Sequence, residues 1–226
     1  MDRPHKIPLW LKIVYSAFVA VLVPFYWFTY SPWNFLFFCD IALLLGALAL
    51  WTEDPLLASL PAVGLALPQL LWCLDFLTGA RISGMTSYMF DGKYSLFVRG
   101  LSSFHGWLPF LLLWMVWRLG YDRRAFLGWT VVSCCVLLAS FFLAPAPPAP
   151  AGNPNLAVNL NYVHGLSYDK PQTVMPPWLW LGIMLAGFPV VFYLPTHLAL
   201  SAWFPRRRNG ELVGHSSSIS DGTRKL

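Results

Sequence analysis

The chain has 226 residues, of which 57% are apolar, 17% aromatic and only 11% charged. Soluble domains carry about 25% charged residues, so this composition excludes an ordinary water-soluble globule. The net charge of +5 is carried at the ends of apolar runs, where lipid headgroups and membrane orientation account for it without nucleic acid.

The first apolar run, 8–30, is too long for a cleavable signal segment and has no small-residue cleavage site, so it is expected to stay as a membrane helix. A tight turn at Ser31 and Pro32 leads into 33–51, WNFLFFCDIALLLGALALW, long enough to cross a bilayer at roughly 20 residues per span. Asp40 interrupts that run. A carboxylate at such a position costs roughly 2.5–3.5 kcal/mol on insertion scales and is read by default as functional, facing the protein interior or a wet cavity. The other reading is a buried partner for Arg99 or for an amide. Cys39 lies directly beside it.

A short turn at 52–54 precedes the third run, 55–79, which carries Pro61 and Pro68 and places Asp75 about one turn from its end. Asp75 is read as a site carboxylate or as a partner of Arg81 or Arg99. The segment 80–103 mixes aromatics with Asp91, Lys93 and Arg99 as an interfacial stretch would. The fourth run, 104–119, contains Pro109 and opens on His105 within RGLSSFHGWLP, where Ser102 and Ser103 can cap a helix. The fifth is 125–145. The linker 146–176 begins APAPPAPAGNPN, an extended proline-rich stretch, then changes to NLAVNLNYVHGLSYDKPQ. Asn155, Asn159, Asn161, Tyr162 and His164 sit there among apolar residues, either on a surface loop or tucked into the mouth of the bundle. The last run, 177–204, holds Pro189, Pro195 and, near its far end, His197. The prolines either adjust helix shape or open a cavity between helices. Residues 205–226 are basic and polar and are expected to be a disordered tail.

The predicted fold is all-α, a bundle of six membrane spans. Eleven of the fifteen Lys and Arg lie on the side of the two termini, which predicts both termini in the cytoplasm. Against this runs the turn 52–54, with two acids and no base on the same side. In this topology Cys39, Asp40, Asp75, His105, Arg99 and the Asn159, Asn161, Tyr162 stretch share one depth, the outer third of the membrane. Two chemistries fit. Cys39 can act as a nucleophile with His105 as base and Asp75 orienting it, Asp40, Arg99, Asn159, Asn161 and Tyr162 binding the substrate. Alternatively Asp40, Asp75, His105 and His164 can hold a metal, although no HxxxH or HExxH spacing is present. The four cysteines, Cys39, Cys73, Cys134 and Cys135, all lie in apolar runs without metal or disulfide spacing, and neither metal nor cofactor is expected. Membrane lipids are the expected partners. A structural Asp/Arg/His network in a non-catalytic protein, or a proton-coupled transporter using Asp40, are the other classes.

The segments FFCD, YMFD, RGLSSFHGWLP, GYDRRA, NPNLAVNLNYVHG and PTHL resemble those of uncharacterised bacterial integral membrane proteins described as membrane-associated, over most of the chain. A cysteine in an early span, a histidine opening a later one and an Asn-Tyr pair before the last are similar to the YwaF-like integral membrane proteins and to the animal transmembrane acyltransferase that remodels ether phospholipids. The matching residues are Cys39, His105, Asn161 and Tyr162, followed by PPWLW at 176–180. That resemblance implies Cys39 as acyl-accepting nucleophile and His105 as its base. The sequence departs from the pattern at Asp40.

Overall fold

A computed structural model describes residues 6–204; Arg3 and the expected tail 205–226 lie outside the described residues. The helices are α1 (Leu9–Tyr30), α2 (Phe38–Thr52), α3 (Pro55–Leu77), α4 (Leu96–Ser102), α5 (Phe104–Leu119), α6 (Arg124–Leu143), α7 (Pro177–Gly187) and α8 (Leu194–Trp203), with no strand among the described residues. Helices α4 and α5 run on as one 24-residue rod, and α7 and α8 as a 27-residue rod joined by a π-helical stretch at Phe188–Tyr193. With α1, α3 and α6 this makes five helices long and apolar enough to cross a membrane. The fold is an all-α membrane bundle of six spans, in which α2 is the short member. Its 15 residues extend about 22 Å at 1.5 Å each, less than the ~30 Å hydrocarbon core.

The structure moves the start of that second span. Residues Pro32–Leu36 form a separate 3₁₀ turn, and Phe37 is extended at φ −63°, ψ 136°. The α-helix therefore begins at Phe38 and not at 33. Asp40 falls in its first turn, not six or seven residues inside.

Helix α3 is the axis of the bundle, lying against α2, α5, α6 and the last rod. Its buried face is built of small residues, Ala58, Ser59, Ala62, Gly64 and Ala66, which let neighbouring backbones come close in a membrane protein. The Trp129 indole of α6 occupies the space a side chain at Gly64 would need. On α2, Gly46 leaves room for Tyr15, whose hydroxyl donates to the Leu43 carbonyl at 2.7 Å. Pro55 opens α3 at its first position and the Asp54 side chain accepts from Leu57 N at 2.9 Å, a standard N-terminal arrangement. The helix continues through Pro61 and Pro68.

The six spans define two faces. One carries the ends of the described chain and the turn 52–54; the other carries the loops 80–95 and 144–176. At the terminal face, Glu53 adopts a left-handed conformation, φ 53° and ψ 30°, between α2 and α3. Its carboxylate accepts from the amides of Lys6 (2.8 Å) and Ile7 (3.4 Å) and from Lys12 Nζ (2.7 Å), and Lys12 is only 3% exposed. The two acids of that turn are therefore used: Glu53 by the start of the chain and Asp54 by its own helix. Burial alone would raise the Glu53 carboxyl, but the Lys12 ammonium and the two amides outweigh it and hold the group below the usual glutamate range.

A depressed carboxyl contributes stability above its ordinary value of about 4.3 and loses it as pH falls through the lower folded-state value. Glu53→Gln is expected to cost about 3 kcal/mol near neutral pH, because it leaves the Lys12 ammonium buried without its counter-charge. In unfolding of the detergent-solubilised protein, the gap between parent and variant should narrow as the pH is lowered below about 4.

Candidate functional site

The loop face is organised by two side chains that reach back into it. The first is Asp75, fully buried near the end of α3. Its Oδ1 accepts from the amides of Ile82 (3.1 Å), Ser83 (2.7 Å) and Gly84 (3.2 Å), and its Oδ2 from Thr86 N (2.9 Å) and Thr86 Oγ1 (2.7 Å). One carboxylate thus shapes the whole first loop, replacing the water its backbone would otherwise need. Asp75 makes no hydrogen bond to His105 and no ion pair with Arg81 or Arg99. The expected role of orienting His105 is corrected, since both oxygens are fully engaged by the loop.

The second is Asn161. Its Oδ1 accepts from Phe38 N at 3.0 Å and its Nδ2 donates to the Leu36 carbonyl at 2.8 Å. It thereby satisfies an orphan amide of the first turn of α2 from 123 residues away. Asn159, also buried, donates to the carbonyls of Gly165 and Ser167 and accepts from His164 N, all at 2.8 Å. The backbone of this stretch is tied to α1 through Ala157 N to Tyr30 O (3.0 Å), and to α7 through Trp180 Nε1 to Tyr162 O (2.8 Å). The asparagine-rich segment is therefore tucked into the bundle mouth. It holds Asn159, Asn161 and Tyr162 at φ 48°, 52° and 63°. Asparagine tolerates that region, but for a tyrosine it costs of the order of 1 kcal/mol or more and marks a place where the fold enforces a shape. Asn159 and Asn161 thus hold that shape with their side chains.

Between these two anchors lies the cluster that the sequence points to. Asp40 is 2% exposed and sits in the first turn of α2, near the positive end of the helix dipole. Its Oδ2 accepts from Asn34 Nδ2 at 2.9 Å, while Oδ1 is buried with no hydrogen-bond partner among the described residues. The partner is the amide and not Arg99. Arg99 donates instead to the Met89 carbonyl at 3.2 Å. The ion pairs found among the described residues are Lys12 with Glu53 and Arg124 with Asp122, so the expected Asp40, Asp75 and Arg99 network does not form.

Around Cys39 and Asp40 stand hydroxyls. Tyr26 of α1 lies within range of both and meets Ser102 of α4. Tyr88, from the first loop, also meets Ser102 and lies within range of Cys39. Burial pushes the Tyr88 phenol up to about 12, so it stays a hydrogen-bond donor at neutral pH. Ser102 leads to His105, whose Nδ1 lies 2.8 Å from the Ser102 carbonyl. A carbonyl only accepts, so Nδ1 carries the proton and Nε2 keeps the lone pair. The ring is stacked on Trp72 at 5.3 Å and packs on Phe104 at 4.1 Å, and Nε2 makes no hydrogen bond among the described residues. Cys39 and His105 lie at the same face of the bundle and are not hydrogen-bonded to each other. The thiol that touches the start of α5 is Cys73, at 3.8 Å from His105 O and 3.7 Å from Gly106 O.

Among the described residues no three His, Cys, Asp or Glu side chains come together in a way that could hold a metal. His164 in particular is drawn away, stacked on Phe141 at 5.2 Å with Nε2 buried and unpartnered. Burial holds its imidazole below the usual range and so neutral near pH 7. Four residues of the cluster escape a reading of the sequence: Tyr26, Asn34, Tyr88 and Ser102. Of these only Asn34 carries a signal, as the other polar residue of an apolar run.

Comparison with protein-family models, with curated proteins and with solved structures finds no match.

If Asp75 organises the loop and not the histidine, Asp75→Asn should lower the melting temperature, because the amide cannot accept all five hydrogen bonds. Hydrogen exchange should accelerate at the amides of 82–86, while the His105 ring resonances stay where they are.

Proposed function

We propose that this is a lipid-handling membrane protein whose site lies in the outer-leaflet third, with acyl transfer or acyl hydrolysis through Cys39 as its reaction. The observation that carries the reading is the placing at the loop face of the Cys39 thiol, the Asp40 carboxyl with one unpartnered oxygen, the Tyr26, Tyr88 and Ser102 hydroxyls, and a histidine with a free lone pair. A buried acidic side chain with an unsatisfied oxygen is costly to keep at membrane depth, and such residues mark functional positions. The short-motif resemblance to the YwaF-like proteins supports the same two residues, Cys39 and His105.

In this reading the Cys39 thiol gives its proton towards His105 Nε2 and attacks the ester carbonyl of a phospholipid. The lysolipid leaves with a proton, and the acyl-cysteine is then taken by water or by a second lipid hydroxyl. The hydroxyls of Tyr26, Tyr88 and Ser102 are donors for the oxyanion that develops. The excess of Lys and Arg at the terminal face supports cytoplasmic termini, and with them a site on the outer-leaflet side.

A second reading is favoured by a specific observation. Cys39 and His105 are not hydrogen-bonded, and Asp75 is unavailable to complete a triad, so the same cluster suits lipid binding without turnover. The two separate on one assay. Protein reconstituted with phospholipid is followed for lysolipid release or acyl exchange. Catalysis predicts that Cys39→Ala removes at least about a thousandfold of the rate and His105→Ala about a hundredfold or more. Full turnover by Cys39→Ala would sink the catalytic version; no turnover by the parent, with lipid retained, would leave the binding one.

A further inference from the structure

The loop face holds a second feature that the cluster does not use. A cavity of about 540 Å³ opens between the proline-rich strap of the second loop, the end of α1 and the first loop. This lies within the size range of ligand clefts, roughly 300–1,000 Å³. Three tyrosines line it from three parts of the chain, Tyr30, Tyr94 and Tyr168, together with one carboxylate, Asp169. Among the described residues no Lys, Arg or His lines it. Lys93 and Lys170 are chain neighbours of wall residues without being part of the wall. Among the described residues the Asp169 side chain has no hydrogen bond or ion pair; its amide donates to Ser167 Oγ at 3.1 Å.

The backbone of the strap has the same bias. Pro148, Pro150 and Pro154 line the cavity and have no N–H to offer. The amides of Leu156 and Ala157 are taken by the carbonyls of Asn153 (3.1 Å) and Tyr30 (3.0 Å). The wall thus offers aromatic faces and a carboxylate, with no cationic side chain among the described residues. Asn34 forms part of it, and its amide nitrogen is turned to Asp40. The second carboxylate therefore stands one residue behind the wall. Such a surface repels anions and attracts a compact cation, for which aromatic faces and a nearby carboxylate are the usual recognition pair.

We propose that this cavity binds an ammonium or quaternary ammonium group. The proposal rests on the lipid reading only for its source, which is either the amine end of a zwitterionic phospholipid headgroup or a free amine; the binding itself stands apart from any chemistry at Cys39.

The probes are choline, titrated calorimetrically into the full chain in phosphatidylglycerol nanodiscs, and phosphatidylcholine, whose retention against phosphatidylglycerol is read by native mass spectrometry. Saturable choline binding or preferential retention of phosphatidylcholine is expected. Asp169→Asn and Tyr94→Leu should each weaken it about tenfold, with thermal stability unchanged because both side chains are exposed. Choline binding alone assigns the site to free amines; retained phosphatidylcholine assigns it to a headgroup. Cys39→Ala should bind as the parent does, so a failed acyl-transfer assay leaves this result standing. Absence of both choline binding and lipid preference, or binding untouched by Asp169→Asn, overturns the proposal.

Discussion

Asn161 joins two regions of the chain that have no other reason to meet. By accepting from Phe38 N and donating to Leu36 O, it closes the mouth of the bundle over the start of α2. At membrane depth each unsatisfied backbone group is costly, because no water can replace the missing partner. A short helix that starts below the loop face therefore needs a cap from elsewhere in the protein. The second loop supplies it, and in doing so sets where α2 begins. Cys39 and Asp40 stand where they do because Phe38 is the first helical residue.

That placement has energetic consequences which point the same way. The loop is held with Asn159, Asn161 and Tyr162 in the left-handed region, and Asp40 is held buried with one oxygen unpartnered. Each is unfavourable by itself. The Asn34 bond recovers part of the cost of Asp40, yet its second oxygen stays unpartnered among the described residues. Other acids are better satisfied: Glu53 meets Lys12, Asp122 meets Arg124, and Asp75 takes five donors. An unfavourable conformation and an under-satisfied acidic side chain coincide at one place, beside the thiol and the hydroxyls of Tyr26, Tyr88 and Ser102. Proteins keep such features where a ligand or a reaction uses them, at the expense of stability.

The spans are legible in the sequence because an apolar run of about 20 residues matches the thickness of the bilayer core as a helix. The depth of the site is legible too, since Cys39, Asp40, Asp75 and His105 all lie near the same ends of their runs. Which polar side chain meets which is not. Asp75 and Asp40 look alike in sequence, each a single acid in an apolar helix. Their difference is decided by a loop of irregular backbone that folds onto one of them and not the other. The start of α2 is hidden for a related reason: its cap is 123 residues distant, and local pattern carries no trace of it. Tyr26 and Ser102 give no signal because a tyrosine or serine in a membrane helix is ordinary until its neighbours are known.

The central claim is that Asp40 is kept for what it binds and not for what it holds together. Asp40→Asn tests this directly, read by thermal unfolding and by lipid binding or turnover on the same preparation. The substitution removes the buried acidic group while keeping its size. The account predicts an unchanged or raised melting temperature together with a loss of lipid binding or turnover. A protein that melts lower and handles lipid as before would show that Asp40 is a structural residue and that the site lies elsewhere.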